Sequence, residues 1–159
     1  MHFRPLIFPC VISLLSTGCF SAAFAQEAAI DTFGDWKIIC DDGAACRMSQ
    51  TIGQTDTSRV IVQLRVFKGE APTALLTFPL GILLSTGWSY EIDGGRNTVL
   101  PFEICNTSGC HAGLRLDADL LQRLKRGNHL TITFRDAANE PVMPVISLSG
   151  FTKAYEALE

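Results

Sequence analysis

Four cysteines carry the plainest chemical signal in this chain. Cys40 and Cys46 have five residues between them, and Cys105 and Cys110 have four. Each interval holds turn formers, Asp41-Asp42-Gly43 in the first and Asn106-Thr107-Ser108-Gly109 in the second, so a tight reversal can bring each pair together. Four cysteines allow three pairings, and the spacing favours the local one, Cys40 with Cys46 and Cys105 with Cys110. In the chain-entropy picture each such short loop contributes roughly 2 kcal/mol. Zinc is the rival chemistry, but structural zinc sites usually use closer knuckles. A thioredoxin-like redox pair needs two intervening residues and a helix start at the first cysteine, and neither pair offers that. No metal or cofactor is expected.

The remaining candidates are weaker. His111 follows Cys110 and His129 opens a strand pattern, and nothing in the sequence brings either to an acid or a nucleophile. No serine or threonine sits in a nucleophile-elbow context such as G-x-S-x-G. No catalytic residue is assigned. Asp41 and Asp42 suggest calcium, against the plainer reading of a solvated loop tip. Trp36 and Trp88 could stack on sugars, against burial in a core. The apolar stretch Phe78 to Leu84 is either core or an exposed patch that marks a partner. Arg115, Arg123, Lys125 and Arg126 form a basic group that could touch an anionic surface, although a helix end complementing its own dipole accounts for three of the four.

The setting of these residues is set by the N-terminus. Residues 1–25 show a positive start at Arg4, an apolar stretch from Leu6 to Leu15 and the small-residue end Ala23-Phe24-Ala25. That is the layout of a cleavable secretory signal, cut before Gln26. The apolar stretch is too short to span a bilayer. A lipoprotein signal at Ser16-Thr17-Gly18-Cys19 competes, but Ser16 stands where such signals favour Leu. Cleavage removes Cys10 and Cys19 and leaves an even four, which in an exported chain reads as disulfides. It also removes Arg4 and no acid, so 13 basic residues become 12 against 16 acidic ones, a net charge of −4. Nucleic-acid binding by phosphate neutralisation is therefore not expected. The mature part, residues 26–159, suits one domain.

The elements that must position the cysteines are mostly strands. After a loosely held lead from Gln26 to Thr32, strand patterns run over Trp36–Cys40, Cys46–Thr51, Arg59–Lys68, Thr73–Phe78, Ser89–Ile92, Thr98–Cys105 and Cys110–Leu116. Asp93-Gly94-Gly95 is a hairpin signal. Asp117 caps a predicted helix of about nine residues with Leu120, Leu121 and Leu124 on one face and Gly127 beyond its end. Alternation then resumes at Leu130, Ile132 and Phe134. A last run from Val142 to Ser149 contains Pro144, which points to an edge strand or bulge. Residues Gly150–Leu158 suit a short terminal helix. The expected class is mainly β: an antiparallel sandwich or partly open barrel with one or two short helices, one of them covering an open end.

Several stretches in one order resemble the invasion-associated locus B family: Phe33-Gly34-Asp35-Trp36 followed by Cys40, then Pro79-Leu80-Gly81-Ile82-Leu83-Leu84 running to Ile92-Asp93-Gly94. Phe102-Glu103-Ile104-Cys105 with Cys110, and Ser149-Gly150-Phe151, complete the pattern. The resemblance covers about residues 33–158. It implies a periplasmic or cell-envelope protein of Gram-negative bacteria, mostly alphaproteobacteria, linked in pathogenic members to entry into host cells. It carries no agreed activity or catalytic residue. The expectation is thus a non-enzymatic exported protein that binds an envelope component or a host-surface protein. It would sit in the periplasm, at the outer membrane or outside the cell, with no transmembrane segment after cleavage. The alternatives are an enzyme, thiol-based or hydrolytic, with a dispersed site, and a carbohydrate-binding sandwich module.

Overall fold

A computed structural model describes residues 30–41, 45–54 and 59–158. The expected signal segment, with Cys10, Cys19 and the cleavage point before Gln26, lies outside the described residues, as does Asp42. Two antiparallel sheets pack face to face. The first has the order β1-β2-β3-β4-β5-β9-β8. Its strands are β1 (Ile30–Phe33), β2 (Trp36–Ile39), β3 (Arg47–Gly53), β4 (Val60–Phe67), β5 (Thr73–Phe78), β8 (Ile104–Asn106) and β9 (Gly109–Arg115). The second sheet is built from β6 (Trp88–Ile92), β7 (Thr98–Leu100), β10 (His129–Arg135), β11 (Pro141–Val142) and β12 (Val145–Ser147), with β10 between β6 and the β11/β12 edge.

Alternation explains the faces. In β4, Val62, Leu64 and Val66 are buried while Gln63 and Arg65 point away, and in β10, Leu130, Ile132 and Phe134 do the same opposite them. The sheets meet through rings: Phe78 of the first lies 5.6 Å from Trp88 and 5.3 Å from Phe134 of the second. A fully buried side chain of this size is worth roughly 1.5–3 kcal/mol. Helix α1 (Ala118–Arg126) begins where expected, with the Asp117 carboxylate accepting from the Leu120 amide at 2.8 Å. Its Leu120 and Leu124 lie among Leu64 and Leu76 of one sheet and Tyr90 and Ile132 of the other, closing one end of the sandwich. Helix α2 (Phe151–Ala157) lies beside it and sets Phe151 edge-on to Trp36 at 5.2 Å.

Three local expectations change. The lead is partly a strand, because Gly34-Asp35 turns β1 back onto β2, from Phe33 opposite Trp36 to Ile30 opposite Ile39. Thr98–Cys105 is two strands in different sheets: Pro101, lacking an amide hydrogen, ends β7, and Phe102 turns inward against Phe78 before β8 begins. Around Pro144 the edge strand breaks, yet β11 and β12 keep one register along β10, and the Pro144 carbonyl accepts from the Ile132 amide at 3.0 Å.

The sheets are also clasped by polar bonds. The Ser147 carbonyl accepts from Trp36 Nε1 and from Gln50 Nε2, each at 2.9 Å, while the Ser147 amide donates to Gln50 Oε1. Next to it the Asp35 amide donates to the Ser149 carbonyl at 3.2 Å. This seam admits no side chain at two glycines, both at positive φ: a Cβ on Gly34 would lie 2.5 Å from the Ser149 oxygen, and one on Gly150 2.0 Å from the Phe33 oxygen. Gly150→Ala should therefore cost at least about 2 kcal/mol in a urea melt. Gly69→Ala, whose added Cβ meets nothing within 4 Å, should shift stability by no more than about 0.5 kcal/mol. Equal midpoints for the two variants would remove the clasp from this account.

Candidate functional site

The cysteines are brought together in the local pairs. Cys40 and Cys46 join the ends of β2 and β3 with Cα atoms 4.2 Å apart, and Cys105 and Cys110 face each other across the β8–β9 hairpin at 4.0 Å. Cys110 is buried beside Phe78, its neighbour in register on β5, whereas Cys105 is exposed. All four cysteines of the described residues are disulfide-bonded, so they offer no thiol for catalysis.

The hairpin closed by Cys105–Cys110 positions His111 on the outer face of the first sheet. There it meets Thr77 across the β5–β9 pairing, Oγ1 to Nδ1 at 3.0 Å. Arg65 on β4 donates to the same oxygen from Nη2 at 2.9 Å. A guanidinium only donates, so the threonine oxygen accepts from it, and with the ring proton on Nε2 the Thr77 hydroxyl donates to Nδ1. On the far side, Asn106 Oδ1 lies 3.2 Å from His111 Nε2 and also accepts from the Ser108 amide, which leaves Nε2 as the protonated nitrogen. Arg65, Thr77, His111 and Asn106 thus form one directed chain. Burial, and next the Arg47 charge, lower the Arg65 pKa, and its Nε is buried without a partner among the described residues. A hydroxyl hydrogen-bonded to an oriented imidazole is the local pattern of general-base chemistry. The sequence hid it because Thr77 and His111 are brought together only by strand pairing.

The other candidates resolve individually. His129 is exposed, with Nδ1 3.8 Å from Asp93 Oδ1. Asp93 holds a turn: its carboxylate accepts from the Asn128 and His129 amides, which keeps its pKa below the ordinary carboxylate value, the Asn128 bond contributing most. Asp41 is ion-paired with Arg47. Both tryptophans are buried, at 0% and 1% exposure, and so are both tyrosines, which removes the aromatic platform a sugar-binding module would need. The Phe78–Leu84 stretch is divided: Phe78 is core, Ile82 packs against it, and Leu80 and Leu84 are half exposed. In the basic group, Arg123 pairs with Asp119, Lys125 turns to Glu156 and the Tyr155 ring, and Arg115 lies on the outer face of the first sheet.

Neither helix covers the outer face of the second sheet. One cross-strand row there runs Val99, Ser89, Thr133, and the next runs Val145, Thr131, Glu91. Val99, Met143 and Val145 are 65%, 57% and 46% exposed, and Leu84 shares a shallow depression with Val99. Alternation in β10 places Thr131 and Thr133 on this face, opposite the buried Leu130, Ile132 and Phe134. No helix among the described residues is long and apolar enough to cross a membrane.

With this geometry in place, comparisons with known proteins converge on one family. A family model described as invasion associated locus B (IalB) protein matches residues 36–159. The crystal structure of invasion associated protein B from Bartonella henselae superposes with a TM-score of 0.73 at 26% sequence identity, covering 81% of this chain and 94% of that one. No curated protein matches the chain.

Two measurements test the local chemistry. Non-reducing peptide mapping should give Cys40–Cys46 and Cys105–Cys110 crosslinks, and Cys105→Ser with Cys110→Ser should cost roughly 2–5 kcal/mol and reduce accumulation in cells. A crosslink between the halves of the chain would overturn the pairing. Asp93→Asn should lower the melting midpoint at neutral pH. Since the folded carboxyl titrates below its unfolded value of about 3.9, its contribution is present above that pH and is lost as pH falls through the folded pKa. The two midpoints should converge in acid. A gap that persists at the lowest pH would show that the charge is not its source.

Proposed function

We propose that this chain, which belongs to the invasion associated locus B family, is an exported cell-envelope protein that acts by binding rather than by catalysis. Its mature part is a single domain, residues 26–159, released from a signal segment at residues 1–25. The compartment is the periplasm or the outer envelope, and the partner is an envelope component or a host-surface protein that contributes to invasion. The observation that carries the binding reading is the outer face of the second sheet, where Val99, Met143 and Val145 stand exposed among the described residues. With half-buried Thr131 and Thr133 and buried Ser89 among them, they give an apolar surface of the kind that marks protein contacts.

The Thr77–His111–Asn106 chain supports a second reading, a hydrolytic enzyme with a dispersed site. One set of variants separates the two in a deletion strain of the source bacterium scored for host-cell entry. Val99→Asp with Val145→Asp should abolish complementation with protein level and melting point unchanged. His111→Ala with His129→Ala should complement normally, whereas a general base usually contributes about 100-fold or more to rate. An abundant, folded histidine variant without function would make the enzyme the leading reading.

A further inference from the structure

A second surface, between α1 and the turn after β6, gathers arginines from two elements. Asp119, Gln122, Arg123 and Arg126 follow the i, i+3, i+4, i+7 spacing that makes one stripe along α1. That stripe and the turn Asp93–Arg96 form the walls of a groove of about 410 Å³, with Ile92 and Gly127 among its lining residues. Three arginines therefore line one groove from two elements, although Arg96 and Arg123 are far apart in sequence.

The carboxylates in this groove are already engaged. Asp119 accepts from Arg123 Nε at 3.0 Å, and Asp93 accepts from the backbone amides of Asn128 and His129. Arg96 and Arg126 have no ion pair and no side-chain hydrogen bond among the described residues, and Arg123 spends only its Nε. Complementing the helix dipole accounts for Arg123 and Arg126 but not for Arg96, which projects from the opposite wall. Three arginines against two carboxylates leave the groove net positive, and the two arginines without an ion pair among the described residues, Arg96 and Arg126, favour an anion there. A carboxylate presents its two oxygens in one plane and satisfies one fork. A phosphate group presents oxygens in several directions and can engage forks on both walls.

We propose that the groove between α1 and the Asp93–Arg96 turn binds a phosphate-bearing ligand through Arg96, Arg123 and Arg126. This deepens the binding reading by adding a site whose variants do not touch the sheet face, so each can fail without the other. The purified, oxidised protein is titrated with sodium pyrophosphate by calorimetry, and with phosphatidylcholine vesicles with and without phosphatidic acid by co-sedimentation. Arg96→Ala with Arg126→Ala should weaken binding at least about tenfold, as expected for two charge-assisted contacts. Arg115→Ala, a charge removed from the other sheet, should leave it unchanged. Arg96→Gln with Arg126→Gln carries the test should the alanine variant melt lower. Saturable pyrophosphate binding with this pattern identifies a soluble phosphate ligand, and binding confined to phosphatidic acid vesicles identifies a lipid headgroup. No binding in either arm, or equal weakening by Arg115→Ala, overturns the site.

Discussion

The Ser147 peptide is the point on which the two sheets are indexed to each other. Apolar burial holds the layers together but has no direction, so it tolerates sliding by a fraction of a residue. The two bonds from Trp36 and Gln50 to the Ser147 carbonyl, with the return bond from its amide, tolerate none. They are half-shielded from water, and leaving such a group unpaired costs about 1–3 kcal/mol. Once β12 is fixed on β2 and β3 in this way, β10 follows through its shared register, and β6 through β10. The glycine seam at Gly34 and Gly150 lets the backbones approach closely enough for those bonds to form.

Local signals in the sequence suffice where a single element explains them. The alternation of β4 and β10 and the cap-to-glycine frame of α1 each depend on residues a few positions apart. Such signals do not suffice where the deciding partner is distant. β1 is hidden in the sequence because Ile30–Phe33 carries little strand pattern of its own and gains its place by pairing with β2. The split of Thr98–Cys105 is hidden because Thr98, Val99 and Leu100 suit a strand by themselves, and only Pro101 and the pull of Phe102 toward Phe78 send the chain to the other sheet.

The same division runs through the functional residues. Turn chemistry between near cysteines made the local pairs legible. Thr77 and His111, and Arg96 with Arg126, come together only through topology, the first pair by strand register and the second by a hairpin laid beside a helix. A family without an agreed catalytic motif fits such a molecule, since surfaces assembled from separate elements leave no contiguous signature. The tryptophans illustrate the converse: both belong to the core, and their ring nitrogens bond to the Ser147 and Pro101 carbonyls rather than to a ligand.

Strand length carries one more consequence. Among the described residues the interior strand β4 has eight residues, while the outermost strands are short: four in β1, three in β8, three in β7, and two and three in the edge broken at Pro144. A free sheet border recruits the border of another molecule when it offers a long row of unpaired amides and carbonyls. Among the described residues the rows at β7, β8 and the edge broken at Pro144 end before they can template such a union. Short margins of this kind keep neighbouring copies of one chain from knitting into polymers.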